Sequence, residues 1–348
     1  MGASTLDPCL TLGLPTKING QVQITLFGEA ATEYKIDSSA NLQDWITVAT
    51  NGDNRLARMI TLDAANAAQF YRARRGPSGG CAGVLTVSNG ITCHGDGIYF
   101  DAYTSADSVH FPAGLYNSSN AFAGADLRFG GVFSIGDAVV HGRLVLGPGA
   151  TFCIGPNGAV GDMPANWPTQ SGIEPGCIVQ TTILSLPDVI MPYTSGLAPG
   201  AGSGTNAFIL LSGNYYVNGD VVIPENKALW VGGVAALVVT GNFIACSNST
   251  LTIAPGASLK LYVGGPSTSL NRVSNTGNAG NLELFGLPGL TDITLGKGQG
   301  YIGTIYAPAA ALVINSIDQG FDYQGGCMVR SLDLSGHIGI HLDRNLSR

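Results

Sequence analysis

Charged side chains are scarce in this sequence: they make up 11% of its 348 residues, against a hydrophobic fraction of 45%. Amphipathic helices need long charged or polar side chains on their outer faces, and Lys, Arg and Glu are too few here to cover many of them. The high hydrophobic fraction also argues against ordinary disorder. The composition therefore excludes both a largely helical protein and a disordered one.

Long apolar runs and basic clusters are missing as well. No run reaches the roughly 18 apolar residues that a membrane-spanning helix needs, so we expect no membrane span. The net charge is −7, and the most basic stretch, Arg72-Ala73-Arg74-Arg75, closes a predicted strand. We therefore expect no nucleic-acid partner. Residues 1–14 lack the basic start of a signal peptide, so we expect the chain to be a mature fragment.

The seven cysteines include no Cys-x-x-Cys pair, and this absence argues against a structural zinc site. Disulfides are compatible with the spacing but not required by it. The best candidates are Cys81 with Cys93 and Cys153 with Cys177, because each pair flanks a loop-rich stretch. An odd number of cysteines leaves at least one thiol unpaired.

Glycine is abundant, with 50 residues, and Ser, Thr and Asn make up much of the remaining polar part. These turn residues separate short apolar runs along the whole chain, a pattern typical of many short strands joined by tight turns. The sequence therefore predicts an all-β protein.

A run of linker residues, Arg75-Gly76-Pro77-Ser78-Gly79-Gly80, separates two segments of different texture. Before it, short alternating strands predict a small β-sandwich over residues 1–76, followed by a Gly-rich linker over 77–83. The predicted strands are Gln21–Phe27, Glu33–Ser38, Trp45–Ala49, Met59–Leu62 and Gln69–Arg74. The stretches Tyr34–Trp45 and Gln69–Ala73 resemble a small immunoglobulin-like module of large secreted bacterial proteins, in which Trp45 and Phe70 would fill the core.

After the linker, short apolar runs recur every seven to twelve residues to the end of the chain. The interval from Leu237 to Leu259 is 22 residues, about one turn of a three-sided parallel β-helix. Residues 144–154 also match residues 251–261, with strand, Pro-Gly turn and strand in the same order. We therefore predict a β-helix, or solenoid, over residues 84–348.

Several stretches of this region resemble an uncharacterised family of secreted bacterial β-helix domains. They are Val132–Arg143, Gly147–Ala150, Ile154–Asp162, Ala254–Val263, Gly303–Pro308 and Ser335–Leu346. The resemblance covers roughly residues 84–348 and implies a right-handed parallel β-helix in an extracellular setting. The family has no established activity, so the resemblance implies no catalytic residue and no cofactor.

The sharpest polar constellation is His337, His341 and Asp343, because these positions share one face of a strand. The favoured interpretation is a polar strand that caps the end of the solenoid core, and a metal site is the alternative. A second patch holds Asp96, Asp101, Asp107 and His110 in a turn-rich segment. Paired acids there could serve a polysaccharide hydrolase, but we expect a solvated loop, and Asp318 and Asp322 offer no stronger case.

These observations lead us to expect a non-enzymatic extracellular protein of a bacterial cell surface: a scaffold, a filament subunit or an adhesin. Its low charge favours close packing with other copies, so the expected partner is the chain itself or a cell-surface glycan. The alternative is a carbohydrate-binding or polysaccharide-cleaving β-helix protein. A cleft with convergent carboxylates and an aromatic platform would favour that alternative.

Overall fold

The structure is a computed structural model of the chain. It describes residues 11–12, 16–18, 21–27, 34–39, 46–51, 57–63, 70–75, 84–107, 110–111, 115–116, 124–161, 171–181, 184, 186–296 and 300–346. These residues form strands and turns, with no α-helix among them and one 3-10 turn at Ala279–Asn281. The predicted all-β class is confirmed.

The chain divides into two compact units, and the division falls inside the predicted linker. One unit is Met1–Cys81 with Ser347–Arg348, and the other is Ala82–Leu346. The described residues of the first unit form seven strands: β1 (Thr11–Leu12), β2 (Thr16–Ile18), β3 (Gln21–Phe27), β4 (Tyr34–Ser39), β5 (Ile46–Asn51), β6 (Ala57–Asp63) and β7 (Phe70–Arg75).

The pairs among these seven strands are all antiparallel and form two sheets. One sheet joins β1, β3 and β2, with β6 on the other edge of β3, and the second has the order β5-β4-β7. Each of the five predicted strands overlaps one of these strands. Ile36 is buried, whereas Trp45 and the side chain of Phe70 lie outside the described residues.

The C-terminal part of the second unit consists of three stacks of parallel strands. The first stack is β18 (Asn206–Leu210), β21 (Ala228–Val231), β24 (Thr250–Ile253) and β27 (Arg272–Asn275). The second is β19 (Gly213–Val217), β22 (Val234–Val239), β25 (Ser258–Val263) and β28 (Leu282–Gly286). The third is β20 (Val221–Ile223), β23 (Phe243–Ala245), β26 (Ser267–Leu270) and β29 (Asp292–Leu295). The chain visits the three stacks in turn, so it advances by one strand in each stack per circuit.

The predicted period matches these stacks closely. Leu229 pairs with Leu251, 22 residues later. In the second stack Leu237 pairs with Leu261, and Leu259 pairs with Ala235 instead. Leu259 and Leu261 are both buried, because alternate residues of a strand point to the same side. The 22-residue interval from Leu237 to Leu259 therefore joins two buried side chains of neighbouring strands that are offset by two residues from direct pairing.

The remaining strands of the second unit include one long element and ten short ones. The long one is β30 (Gly300–Asp343), which follows β29 in the chain. The short ones are β8 (Val84–His94), β9 (Ile98–Tyr103), β10 (Ala125–Phe129), β11 (Val132–Gly136), β12 (Val139–Leu146), β13 (Thr151–Ile154), β14 (Ala159–Gly161), β15 (Gly172–Ile173), β16 (Ile178–Gln180) and β17 (Gly200–Ala201).

The order of strands along the stacks differs from their order in the sequence. Residues 304–314 of β30 pair with β28 and β29, and residues 327–343 pair in parallel with β8 and β9. Strands β10 and β11 then pair with β8, while β12 pairs with β9 and β10. The beginning of this unit is therefore placed after its end. We call the pairing of residues 327–343 with β8 and β9 the seam.

Residues 186–199, which we call the strap, return the chain from one end of the stacks to the other. The preceding Leu184 packs against Gly130 and Gly147. Further along, the Tyr306 hydroxyl donates a hydrogen bond to the carbonyl of Pro187, at 2.7 Å. Tyr193 donates to the carbonyl of Ala236, at 2.8 Å. Leu197 then pairs with Tyr215, and β17 pairs antiparallel with β18.

Candidate functional site

A buried aspartate and histidine face each other across the seam. Residues 338–343 pair with β9 so that His341 lies opposite Asp101. Ile340 and Leu342 point into the core, so His341 points to the other side of the strand. The side chains of His341 and Asp101 are nevertheless only 0% and 1% exposed. Other residues must therefore cover this outer side.

Part of the cover comes from the chain between β9 and β10. The ring of Tyr116 stacks on the His341 imidazole, with ring centroids 3.5 Å apart and an interplanar angle of 17°. The Tyr116 hydroxyl donates to Asp101 Oδ2 at 2.7 Å, and its backbone N–H donates to Gln324 Oε1 at 3.1 Å. Tyr99 approaches the imidazole edge-on, at 5.4 Å between centroids. The histidine is thus enclosed by aromatic rings.

Both nitrogens of His341 face carboxylates. Nδ1 lies 2.7 Å from Asp101 Oδ1, and Nε2 lies 3.5 Å from Oδ1 of the more exposed Asp322. Burial by itself lowers the pKa of His341, but the hydrogen bonds and charges of Asp101 and Asp322 outweigh burial and raise this pKa above its usual 6.5. The geometry therefore favours a protonated imidazolium between two carboxylates.

The neighbouring tyrosines stay protonated. Burial, together with the charges of Asp322 and Asp101, raises the pKa of Tyr99 to about 12. Burial also raises the pKa of Tyr116, and the charge and hydrogen bond of Asp101 raise it further. A tyrosine with a raised pKa is a weak general acid and not a base. The Tyr116 hydroxyl therefore serves as a hydrogen-bond donor to Asp101.

Asp343 fixes the chain beside this cluster. Its Oδ1 accepts hydrogen bonds from the backbone N–H groups of Ser105, at 3.0 Å, and of Asn345, at 2.9 Å. Its Oδ2 and the hydroxyl of Tyr103, the residue opposite it in register, are buried without a hydrogen-bond partner in the described part of the chain. Asp343 thus ties the turn after β9 to the last strand across the seam.

The structure regroups the residues that the sequence singled out. His341 and Asp101 come from different predicted patches and meet here with Asp322. His337 is exposed and lies over Gly97. Asp107 pairs with His110 at 2.7 Å, and both are partly exposed. Asp96 lies apart, in a shallow cavity with Asp137. The side chain of Asp318 is outside the described residues.

The capping interpretation of the last strand was wrong. Residues 338–343 are paired with β9 inside the stacks, and Ile338, Ile340 and Leu342 are buried. His341 and Asp343 on this strand make buried contacts across the seam, whereas His337 is exposed. For the metal alternative, no group of three or more His, Cys, Asp or Glu in the described ranges is arranged to hold a metal ion.

Three of the four candidate disulfide cysteines are thiols in the described part of the chain. Cys93 is a buried thiol whose pKa is raised by burial and then by the charge of Asp333. Cys153 and Cys177 are also present as thiols, on β13 and just before β16. Cys81 lies outside the described residues. Cys93 contributes to the core as a small apolar residue, which is common for a buried thiol.

A family model described as a domain of unknown function (DUF7305) matches residues 199–348. No curated protein and no solved structure matches the chain. The matched region begins where the strap ends and includes the whole of β30. The seam therefore joins this region to residues that precede it. Across the residues that the structure describes, no helix is long and apolar enough to cross a membrane.

Proposed function

We propose that this chain is an extracellular structural protein of a bacterial surface, a scaffold, filament subunit or adhesin, and that it joins other copies of itself. In this proposal the second unit is a right-handed β-helix, and the first unit is an immunoglobulin-like module that precedes it. The parallel stacks and the low charge support the proposal. The observation that carries it concerns one end of the stacks, the end opposite to β17 and β18.

Three strands at that end have unpaired edges among the described strands. β13 pairs with β11, β15 with β14, and β16 with β12, each on one side. Natural sheets usually protect such edges with charged residues or proline, because an open edge pairs with other strands. These three strands contain neither. Their side chains Phe152, Ile173 and Ile178 are only partly covered, so a second copy is a chemically suitable partner.

The buried cluster supports a structural role over a catalytic one. A general acid or base must come within hydrogen-bond reach of a substrate. His341 is fully buried, and both of its nitrogens already face Asp101 and Asp322. Paired acids of a glycosidase must likewise flank an open cleft. Asp101 is instead held by His341 and Tyr116, so the cluster acts on the protein's own chain.

Concentration-dependent sizing of the full chain, combined with electron microscopy under reducing conditions, tests the proposal. Ile178→Lys places a charge on the open edge, and Val313→Lys is a matched control because both side chains are 38% exposed. We expect oligomers or fibres that grow with concentration, that Ile178→Lys removes and that Val313→Lys preserves. A monomer at every concentration would exclude self-assembly, and a glycan-binding screen would then test the carbohydrate alternative.

A further inference from the structure

We propose that the strand row at residues 327–343 is a docking surface for β8 and β9 of a second copy, so that copies join by exchanging residues 84–181. This inference rests on the proposed function, because it names a second way in which copies associate. It concerns the seam and not the open end at β13, β15 and β16.

The seam is a specific recognition surface. Residues 327–329 pair with 85–87, residues 331–335 with 90–94, and residues 338–343 with 98–103, all in parallel. Backbone pairing of this kind would accept many strands, but the side chains add a requirement. His341 needs the carboxylate of Asp101, and Asp343 needs the backbone N–H of Ser105. A second copy of this chain carries both.

The seam joins residues that are far apart in the sequence. Asp101 and His341 are 240 positions apart, and the chain that connects their strands passes through the strap. The hydrogen bonds described above tie the strap to the stacks through two tyrosine hydroxyls, Tyr193 and Tyr306. Ile190, in the middle of the strap, is 85% exposed. If the strap were released, residues 327–343 and strands β8 and β9 would each keep the groups that pair across the seam.

The strap is also long enough to reach another molecule. An extended chain spans about 3.3 Å per residue, so two extended residues cover more than the roughly 4.8 Å between neighbouring parallel strands. A released strap therefore lets residues 84–181 reach the exposed row of a neighbouring copy while residues 200–346 stay in place. Exchange of an identical element between protomers is a known low-cost route to oligomers, because the element makes the same contacts between two chains as it makes within one.

A disulfide across the seam distinguishes exchanged copies from closed monomers. Ser335 and His94 are opposite each other in the seam, and paired strands bring residues within the Cα separation that a disulfide requires. The test uses Ser335→Cys and His94→Cys together in the Ile178→Lys background, which disables the open end. The protein is unfolded, refolded at several concentrations and oxidised, and the linked peptides are identified by mass spectrometry.

We expect a 94–335 disulfide between chains, with a dimer-to-monomer ratio that rises about tenfold for each tenfold increase in refolding concentration, as mass action requires. An exclusively intramolecular disulfide at every concentration would overturn the inference and leave the open-end proposal standing. Ser335→Cys alone is the control for links through native cysteines.

A second measurement covers failure of the double variant to fold. Unlabelled and ¹⁵N-labelled Ile178→Lys protein are refolded as a mixture and cross-linked chemically. Linked peptides from residues 84–103 and 327–343 that join one light and one heavy chain support exchange, whereas links found exclusively between peptides of the same label contradict it.

Discussion

Two tyrosines beside the seam differ in how their hydroxyls are satisfied. The Tyr116 hydroxyl donates to the buried Asp101 carboxylate at 2.7 Å. The Tyr103 hydroxyl is buried without a hydrogen-bond partner in the part of the chain that the structure describes. A hydrogen bond to a charged group is worth more than a neutral one, and a buried polar group without a partner carries a desolvation cost. The same Tyr→Phe change should therefore have different effects at the two positions.

We expect Tyr116→Phe to reduce the free energy of unfolding by about 2 kcal/mol, because Asp101 loses a donor while it stays buried. Tyr103→Phe should be neutral or slightly stabilising. Urea unfolding followed by circular dichroism measures both variants, and each is the other's control because the same atom is removed. Equal losses would show that the Tyr116–Asp101 hydrogen bond contributes nothing specific.

His341 should make stability depend on pH. Its pKa is raised above 6.5 in the folded chain, so the folded state binds this proton more tightly than the unfolded state does. The stabilisation is therefore fully present below about pH 6.5 and is lost as the pH rises through the folded pKa.

The measurement compares the free energy of unfolding of the natural chain with that of His341→Gln between pH 5.5 and 9. The difference should be largest at acidic pH and decrease as the pH rises. His94→Gln is the control, because His94 lies 3.7 Å from Asp333 with both side chains about half exposed, and such pairs contribute little. A difference that grows with pH would contradict a protonated His341.

The sequence singled out Asp101 and His341 but did not predict that their side chains are in contact. His341 was singled out on the face of a predicted strand, whereas Asp101 was expected in a solvated loop. That expectation was wrong for Asp101, which is buried in β9. Nothing in the 22-residue spacing connects them, because that spacing relates only consecutive circuits of the chain. Tyr116 carried no separate signal, since its role depends on how the segment after β9 folds back over His341.

At the scale of elements, the tight turns between strands place specific demands on glycine. Gly131, between β10 and β11, has φ of +64°, and Gly256, between β24 and β25, has φ of +76°. A Cβ on Gly131 would overlap the backbone carbonyl of Asn89, whereas a Cβ on Gly256 would meet nothing within 4 Å. The two positions share a left-handed backbone and differ in available space.

We expect Gly256→Ala to cost about 1–2 kcal/mol, the usual penalty for a side chain in the left-handed region. Gly131→Ala should cost more, because the neighbouring backbone of β8 at Asn89 must also move. Thermal unfolding of the two variants measures the difference. Similar midpoints would mean that the close approach of the Asn89 carbonyl relaxes without cost.

The internal sequence repeat contains one of these glycine turns in each copy. Residues 144–154 and 251–261 share a Pro-Gly turn, and Gly149 and Gly256 have similar φ, +72° and +76°, with open space around both. Turn chemistry and inward apolar residues are local, so the sequence predicts them well. Which strand lies beside which is set by long-range contacts, so the sequence did not predict the seam.

At the scale of the whole second unit, chain order and spatial order disagree. β8 and β9 begin this unit in the sequence but pair with its last strand segment. The strap makes this arrangement possible by carrying the chain back along the outside of the stacks. The spacing of apolar runs in the sequence relates strands that are one circuit apart. It therefore cannot predict which strands pair after the strap has carried the chain to the other end of the stacks.

This arrangement predicts that the unit tolerates a new chain order. Leu346 packs near Gly326, and the next residue, Cys327, pairs with Leu85. Leu346 therefore lies beside a strand segment that is itself about one strand spacing, roughly 5 Å, from the start of β8. A short Gly/Ser linker can join residue 346 to residue 84, with the new ends at residues 199 and 181 and the strap removed.

We expect this permuted unit to fold with the same β-sheet circular dichroism spectrum and to depend on Asp101, so that Asp101→Asn should lower the unfolding midpoint in both chain orders. A permutant with new ends between Gly232 and Gly233, inside the stacks, is the control and should be much less stable. If the permuted unit fails to fold while the control folds, the strap must do more than connect: it must itself hold the stacks together, and exchange through a released strap would then be excluded as well.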